Sequence, residues 1–320
     1  LYALRHCDKV EEGVRMGIFG PLIVAYLFLG GTGGGALAVL SLLEVANSPR
    51  IASRRWLLPS EFFARAWAAC VVVLGIAVVC LLADLGRPDR AVSLFTAPEL
   101  TPIAVGAWAL AAALAIATTF AAANLLEAGL LRKRIAVAGG VAGAAIGCIV
   151  VAYAGVLLYD AASVLAWQTP LVVALFVVSG ASCGIALCLG SAAFVESRVP
   201  LIRPVRALAR IDSFAIALEA SCIALYVAWL AHAQGTQPAA DALIAGRLRW
   251  RFWLAIVVLG LAVPFVMERF ITYSNSRSQL LWVALCVLVG GLALRAAVVD
   301  VSAFDATQAS SLAGLLASAF

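Results

Sequence analysis

The side chains able to do redox or ligand chemistry are few in this sequence, and their spacing first excludes things. There are two histidines, His6 and His232, one near the start and one late in the chain. A bis-histidine haem needs two imidazoles facing each other inside one bundle, so no haem site is expected. The eight cysteines are Cys7, Cys70, Cys80, Cys148, Cys183, Cys188, Cys222 and Cys286, and no two form a Cys-x-x-Cys pair. Zinc and iron–sulfur sites need closely grouped thiolates. All but Cys7 lie in apolar stretches, where a free cysteine acts as a small hydrophobe. The run Gly30-Gly31-Thr32-Gly33-Gly34-Gly35-Ala36 contains a formal G-x-G-x-x-A. That fingerprint binds a dinucleotide only where a strand turns into a helix. Here it sits in a long uncharged run, so the glycines read as close helix contact or an opening for a ligand. Gly139, Gly143 and Gly147 read the same way.

Ionisable residues inside apolar runs are the better lead, because burying charge in lipid is expensive. Glu219 interrupts the run Ser213–Ala231. It lies about 12 Å into the span that starts near residue 211, at 1.5 Å per residue. Arg295 falls inside the last apolar run, near its outer end, where it either snorkels outward or faces the interior. Asp84 and Arg87 close the second run within Asp84-Leu85-Gly86-Arg87-Pro88, as a local pair or as part of a site.

The elements that must position these residues follow from composition. Of 320 residues, 64% are hydrophobic and 12% charged, with a mean hydropathy of +1.06. A soluble domain carries about a quarter charged residues, so this chain cannot cover a globule with polar surface. Crossing the hydrocarbon core takes roughly 20 mainly apolar residues. Runs of that kind predict an all-α polytopic membrane protein, a bundle of eight transmembrane helices near 18–45, 65–85, 101–126, 135–158, 169–195, 211–232, 250–268 and 280–299. The apolar runs are continuous rather than alternating, which favours helices over a barrel. The first run is far longer than a signal-peptide core and is taken as a true span. The organisation expected is an extracytoplasmic segment 1–17, a transmembrane domain 18–300 and an interfacial segment 301–320, mildly amphipathic.

A net charge of +5 does not point to nucleic acid, because the basic residues sit at helix ends and report orientation. Thirteen, from Arg50 to Arg277, fall on one side of an eight-span chain, and eight, from Arg5 to Arg251, on the other. The richer side is expected to be cytoplasmic, with both termini outside.

The order of segments then carries a resemblance. Tyr26-Leu27-Phe28-Leu29-Gly30-Gly31 opens the first span and Asp84-Leu85-Gly86-Arg87-Pro88 ends the second. Thr101-Pro102-Ile103-Ala104-Val105-Gly106-Ala107-Trp108 starts the third, and Tyr153-Ala154-Gly155-Val156-Leu157-Leu158 closes the fourth. Trp167-Gln168-Thr169-Pro170, Leu175-Phe176-Val177-Val178-Ser179-Gly180, Arg210-Ile211-Asp212 with Glu219, and Gly290-Gly291-Leu292-Ala293-Leu294-Arg295 follow. In this order they resemble the NrfD/PsrC family, the membrane subunits of polysulfide-reductase-like complexes, over nearly the whole hydrophobic chain.

The resemblance implies a quinone-reactive anchor in the bacterial cytoplasmic membrane that carries no haem, cluster or metal itself. It implies a ferredoxin-like four-cluster iron–sulfur partner with a molybdopterin or other catalytic subunit beyond it, and menaquinone rather than ubiquinone. A tyrosine in the family's Tyr-x-Gly-x-Leu-Leu position contacts the quinone, and that role passes to Tyr153. Some members also use an Asn and a His in the first span. Pro21–Tyr26 contains neither, so Tyr26, Asp84 or Arg87 supplies the remaining polar contact. Candidate quinone contacts are thus Tyr153, Tyr26, Asp84, Arg87 and Arg295; candidate proton carriers are Glu219, Asp84 and Asp160. The rival readings are a secondary transporter, for which no internal repeat is evident, and a purely structural anchor.

Overall fold

The computed structural model describes residues 20–47, 58–85, 102–126, 129–161, 164–196, 202–271 and 277–304. Arg87, His6 and most of the segment 301–320 lie outside them. All eight expected spans are helices long and apolar enough to cross a membrane. They are labelled α1 (Pro21–Ala46), α2 (Ser60–Leu85), α3 (Pro102–Leu125), α4 (Gly129–Tyr159), α5 (Pro170–Ala192) and α6 (Ile202–His232). A short helix, α7 (Gln237–Ile244), then precedes α8, and α9 (Arg277–Asp300) completes the bundle. The span α8 is a π-helix over Arg251–Ala262 and an α-helix over Val263–Ile271. The short α7 occupies the connection between α6 and α8.

Two boundaries differ usefully from the sequence reading. Helix α6 starts at Ile202 rather than near 211, and α2 at Ser60 rather than near 65. Arginine and glutamate are good helix formers, so the helix continues past the apolar run into the headgroup region. Acids that looked like span-end residues therefore stand on continuous helix.

The spans are apolar on all sides, as lipid-embedded helices must be. Side chains such as Val72, Val79, Phe214 and Leu225 face outward, while Leu27, Leu37, Leu40, Phe62, Trp67, Leu74 and Phe176 fill the core. Helix α1 is the hub: it packs on α2, α4 and α5. Helices α5, α6, α8 and α9 form the second half, joined to the first mainly along α1 and α5. That seam depends on glycine. A Cβ at Gly35 would fall on the Gly180 carbonyl, and one at Gly184 on the Gly35 backbone, so α1 and α5 meet backbone to backbone. The glycine run therefore lies inside α1 as a packing surface.

Polar groups hold the ends in register. Pro170 opens α5 behind Thr169, whose hydroxyl accepts from Leu171 N. Trp167 Nε1 donates to Val298 O at 2.8 Å and Tyr226 Oη to Ala166 O at 3.1 Å, which pins the α4–α5 connection onto α9 and α6. On the same side an Arg251–Asp300 ion pair joins α8 to α9.

Candidate functional site

Three polar groupings lie inside the bundle, each where two or more helices bring together residues far apart in sequence. The first is where the starts of α1 and α3 meet the end of α4. Tyr26, 6% exposed, and Tyr153, 9% exposed, are neighbours close enough for their phenols to interact electrostatically. Tyr153 stands six residues before Tyr159, the end of α4, and its ring occupies the space left by Gly106 of α3. It points inward rather than into an interfacial belt. In a phenol pair one hydroxyl donates to the other, which leaves one O–H free to donate to a ligand. The pair suits a ring ligand that needs a carbonyl oriented in an otherwise apolar setting.

The second grouping lies deeper, across α1, α5, α6 and α9. Arg295 is fully buried and faces the bundle interior, so it does not snorkel. Its Nε donates to Leu27 O at 3.2 Å, and Nη1 donates to Ser179 Oγ at 3.1 Å and Gly291 O at 3.0 Å. The guanidinium also lies over the rings of Phe28 and Phe176, 5.8 and 5.3 Å from their centroids, where π faces help to replace hydration. Glu219 is close enough to both Ser179 and Arg295 to interact electrostatically with them. A serine that accepts from the guanidinium still has its own proton to donate to the carboxylate. The single acid expected at membrane depth therefore faces the single arginine expected there.

The third grouping joins the middle of α5 to the first half of α6 and the C-terminal end of α8. Ser182 Oγ donates to Asp212 Oδ1 at 2.7 Å, and Ser213 Oγ donates to Glu268 Oε2 at 2.6 Å. Apart from these three, one further polar contact ties the end of α1 to the start of α2 and the end of α3: Trp67 Nε1 and Asn124 Nδ2 both donate to Glu44 Oε1, at 3.3 and 3.0 Å. Trp67 stacks on Phe120 beside it.

Of the residues singled out in the sequence, Tyr26 and Tyr153 come together, and so do Glu219 and Arg295. Arg295 grips α1 at Leu27, the residue after Tyr26, which links the two groupings through one helix. Asp84 and Asp160 are exposed at the outer ends of α2 and α4. The sequence reading missed Glu268, Glu44 and Ser182, and treated Ser179 and Asp212 only as parts of motifs. Glu44 and Glu268 stand at the margins of apolar runs, where acids normally meet water. Their only available signal was the length of the helices that carry them. Among the described residues, no group of three His, Cys, Asp or Glu side chains is arranged to hold a metal ion.

Comparison with known proteins agrees with this architecture. A search of curated proteins finds no match. The family described as polysulphide reductase, NrfD, matches residues 10–303, from ahead of α1 to beyond α9. A match over nearly the whole chain, with eight spans in order, places this polytopic membrane protein among the membrane subunits of polysulfide- and nitrite-reductase-like oxidoreductase complexes. The chain belongs to the NrfD family.

Proposed function

We propose that this chain binds a quinone or quinol at the outer ends of α1 to α4 and exchanges electrons with an iron–sulfur subunit docked over that face. The observation that carries the reading is the Tyr26–Tyr153 pair, two nearly buried phenols that neighbour each other inside the bundle. Tyr26 fills the role left open by the missing Asn and His of the first span. The residues fit a quinone: hydroxyl donors at one edge, apolar helix faces around them, and no competing acid between the phenols. The bound quinone supplies two-electron chemistry coupled to two protons.

The chain's own residues orient and move protons. Tyr153 donates to a quinone oxygen while Tyr26 holds the Tyr153 ring in place. Glu219, coupled through Ser179 to Arg295, offers a proton-exchanging group on the cytoplasmic side of the site. Asp84 and Asp160 stand where outward proton release is short, and Arg87 belongs to the same outer margin in sequence. In this reading the protein sits in a bacterial cytoplasmic membrane with both termini outside. The iron–sulfur partner is ferredoxin-like with four clusters, a molybdopterin or other catalytic subunit lies beyond it, and the quinone is menaquinone.

Purification in mild detergent, with iron and quinone analysis of whatever accompanies the chain, tests this. Stoichiometric iron–sulfur protein with bound quinone that falls in Tyr153→Phe is the expected result. A lone chain with neither would overturn it and bring the transporter reading forward. An iron–sulfur partner with no quinone would leave a structural anchor.

A further inference from the structure

Asp212 and Glu268 present two carboxyl groups in a place where water does not reach either one. Asp212 is fully buried and Glu268 is 2% exposed. One oxygen of each is satisfied: Ser182 donates to Asp212 Oδ1 and Ser213 donates to Glu268 Oε2. The remaining oxygens, Asp212 Oδ2 and Glu268 Oε1, are buried without a donor. Ser213, the residue after Asp212, makes the bond to Glu268, which sets the two carboxyl groups beside each other. Carboxylates are acceptors only, so two of them cannot hydrogen-bond unless a proton lies between. Two like charges in contact in a low-dielectric interior do not both stay ionised.

We propose that Asp212 and Glu268 share one proton between Oδ2 and Oε1, forming an exchangeable proton store on the cytoplasmic side of Glu219. The pair then carries a single negative charge, and both orphaned oxygens gain a partner through one hydrogen. A shared proton belongs to the pair rather than to either acid.

Its place in the fold suits transfer from the inner face. Glu268 is followed by exposed Arg269, and Asp212 is preceded by exposed Arg210, so the pair stands one turn or less from the inner boundary. Asp212 and Glu219 are seven residues apart on one helix, two turns along the same face and about 10 Å along the axis. The ionisable groups that interact with Asp212 from neighbouring positions are Glu219 on α6 and Cys183 and Cys188 on α5. Arg295 acts on Glu219 and Cys183. A proton leaving the pair therefore meets Glu219 next, and beyond it the Ser179–Arg295 link toward the tyrosines. This transfer role rests on the quinone reading above; the shared proton does not.

The test uses the complete chain with its copurifying partners. Infrared spectra in H2O and D2O at neutral pH count protonated carboxylic acids through a C=O band that shifts on deuteration. Asp212→Asn and Glu268→Gln each place an amide N–H where the shared proton lies, so each keeps the hydrogen bond while removing the acid. The double variant pairs two amides and is the control should one single variant fold poorly. The expected result is loss of one acid per chain in either single variant and in the double variant, with that band retained in Glu219→Gln. A band unchanged in the double variant would overturn the shared proton. So would a band that appears only when sodium is withdrawn, which would assign the site to a sodium ion.

Charge movement during quinol turnover in proteoliposomes then tests the transfer. Glu268→Gln is expected to lower it at least tenfold while bound quinone stays at wild-type level. Undiminished charge movement would remove the pair from the path. Failure of wild-type protein to turn over quinol would instead sink the quinone reading and leave the infrared result standing.

Discussion

Arg295 of the last span and Glu219 of the sixth interact electrostatically beside Ser179, to whose hydroxyl the guanidinium donates at 3.1 Å. Both are nearly or fully withdrawn from solvent. Removing one partner of a buried pair leaves the other charge uncompensated, at a loss of about 3–5 kcal/mol. Arg295→Leu should therefore lower the unfolding temperature in detergent and the yield of assembled complex. Arg295→Leu with Glu219→Gln should recover most of that loss, because the double change removes both charges. Additive losses would show that the two groups are not coupled.

Glu219→Gln alone tests a different quantity. The amide keeps the shape and can still accept from Ser179 but leaves the Arg295 charge uncompensated. Stability should therefore fall by up to about 3–5 kcal/mol, and turnover is compared at equal amounts of folded complex with bound quinone. It cannot carry a proton. Charge movement in proteoliposomes should fall at least tenfold, and electron transfer to an artificial quinol analogue should slow in parallel. Unchanged turnover together with unchanged charge movement would take Glu219 off the proton route.

At the inner ends of the first three spans, Glu44 makes a structural prediction. Its Oε1 accepts from both Trp67 and Asn124 in a buried setting. Glu44→Ala strands the Trp67 indole N–H beside Phe120, and a stranded buried donor is worth about 1–3 kcal/mol. Thermal unfolding should move down by that amount, and Glu44→Gln, which retains an acceptor oxygen, should move it less. Quinone content should stay the same in both, because this cluster is at the opposite end of α1 from Tyr26.

Much of this architecture is legible in the sequence, for reasons specific to membranes. An apolar run long enough to span lipid can only be a helix, so all eight spans follow from hydropathy. Depth along a helix converts directly to position, which is why Glu219 and Arg295 could be picked out, whereas Tyr153 is picked out by the family's Tyr-x-Gly-x-Leu-Leu position. What the sequence could not show is which faces of different helices turn toward each other. Ser179 and Ser182 look like ordinary small residues until Arg295 and Asp212 are placed against them. Glu268 looks like a headgroup acid because Arg269 follows it; only the packing of α8 on α6 shows that its side chain turns inward to Ser213. Arg295 had two options along one helix, outward to water or inward to the bundle. The choice depends on acceptors offered by α1 and α5, which no local pattern records.

The outer site gives the last prediction, through a residue with no polar group. Gly106 lies against the Tyr153 ring so closely that a Cβ there would overlap it. Gly106→Ala should therefore swing the phenol away from Tyr26 without removing any hydrogen-bonding group. The methyl group itself suits a membrane helix better than glycine does, since alanine is the stronger helix former. Helicity and assembly should survive while bound quinone falls. Losing one hydroxyl contact is worth about 0.5–1.5 kcal/mol, roughly three- to tenfold in affinity. Tyr153→Phe and Gly106→Ala should each weaken quinone binding by about that factor, measured by titration of the purified complex. Combining them should weaken it little further, because both act on the same hydroxyl. Independent, multiplying losses would place the ligand away from Tyr153 and require another donor at the outer ends of α1 to α4.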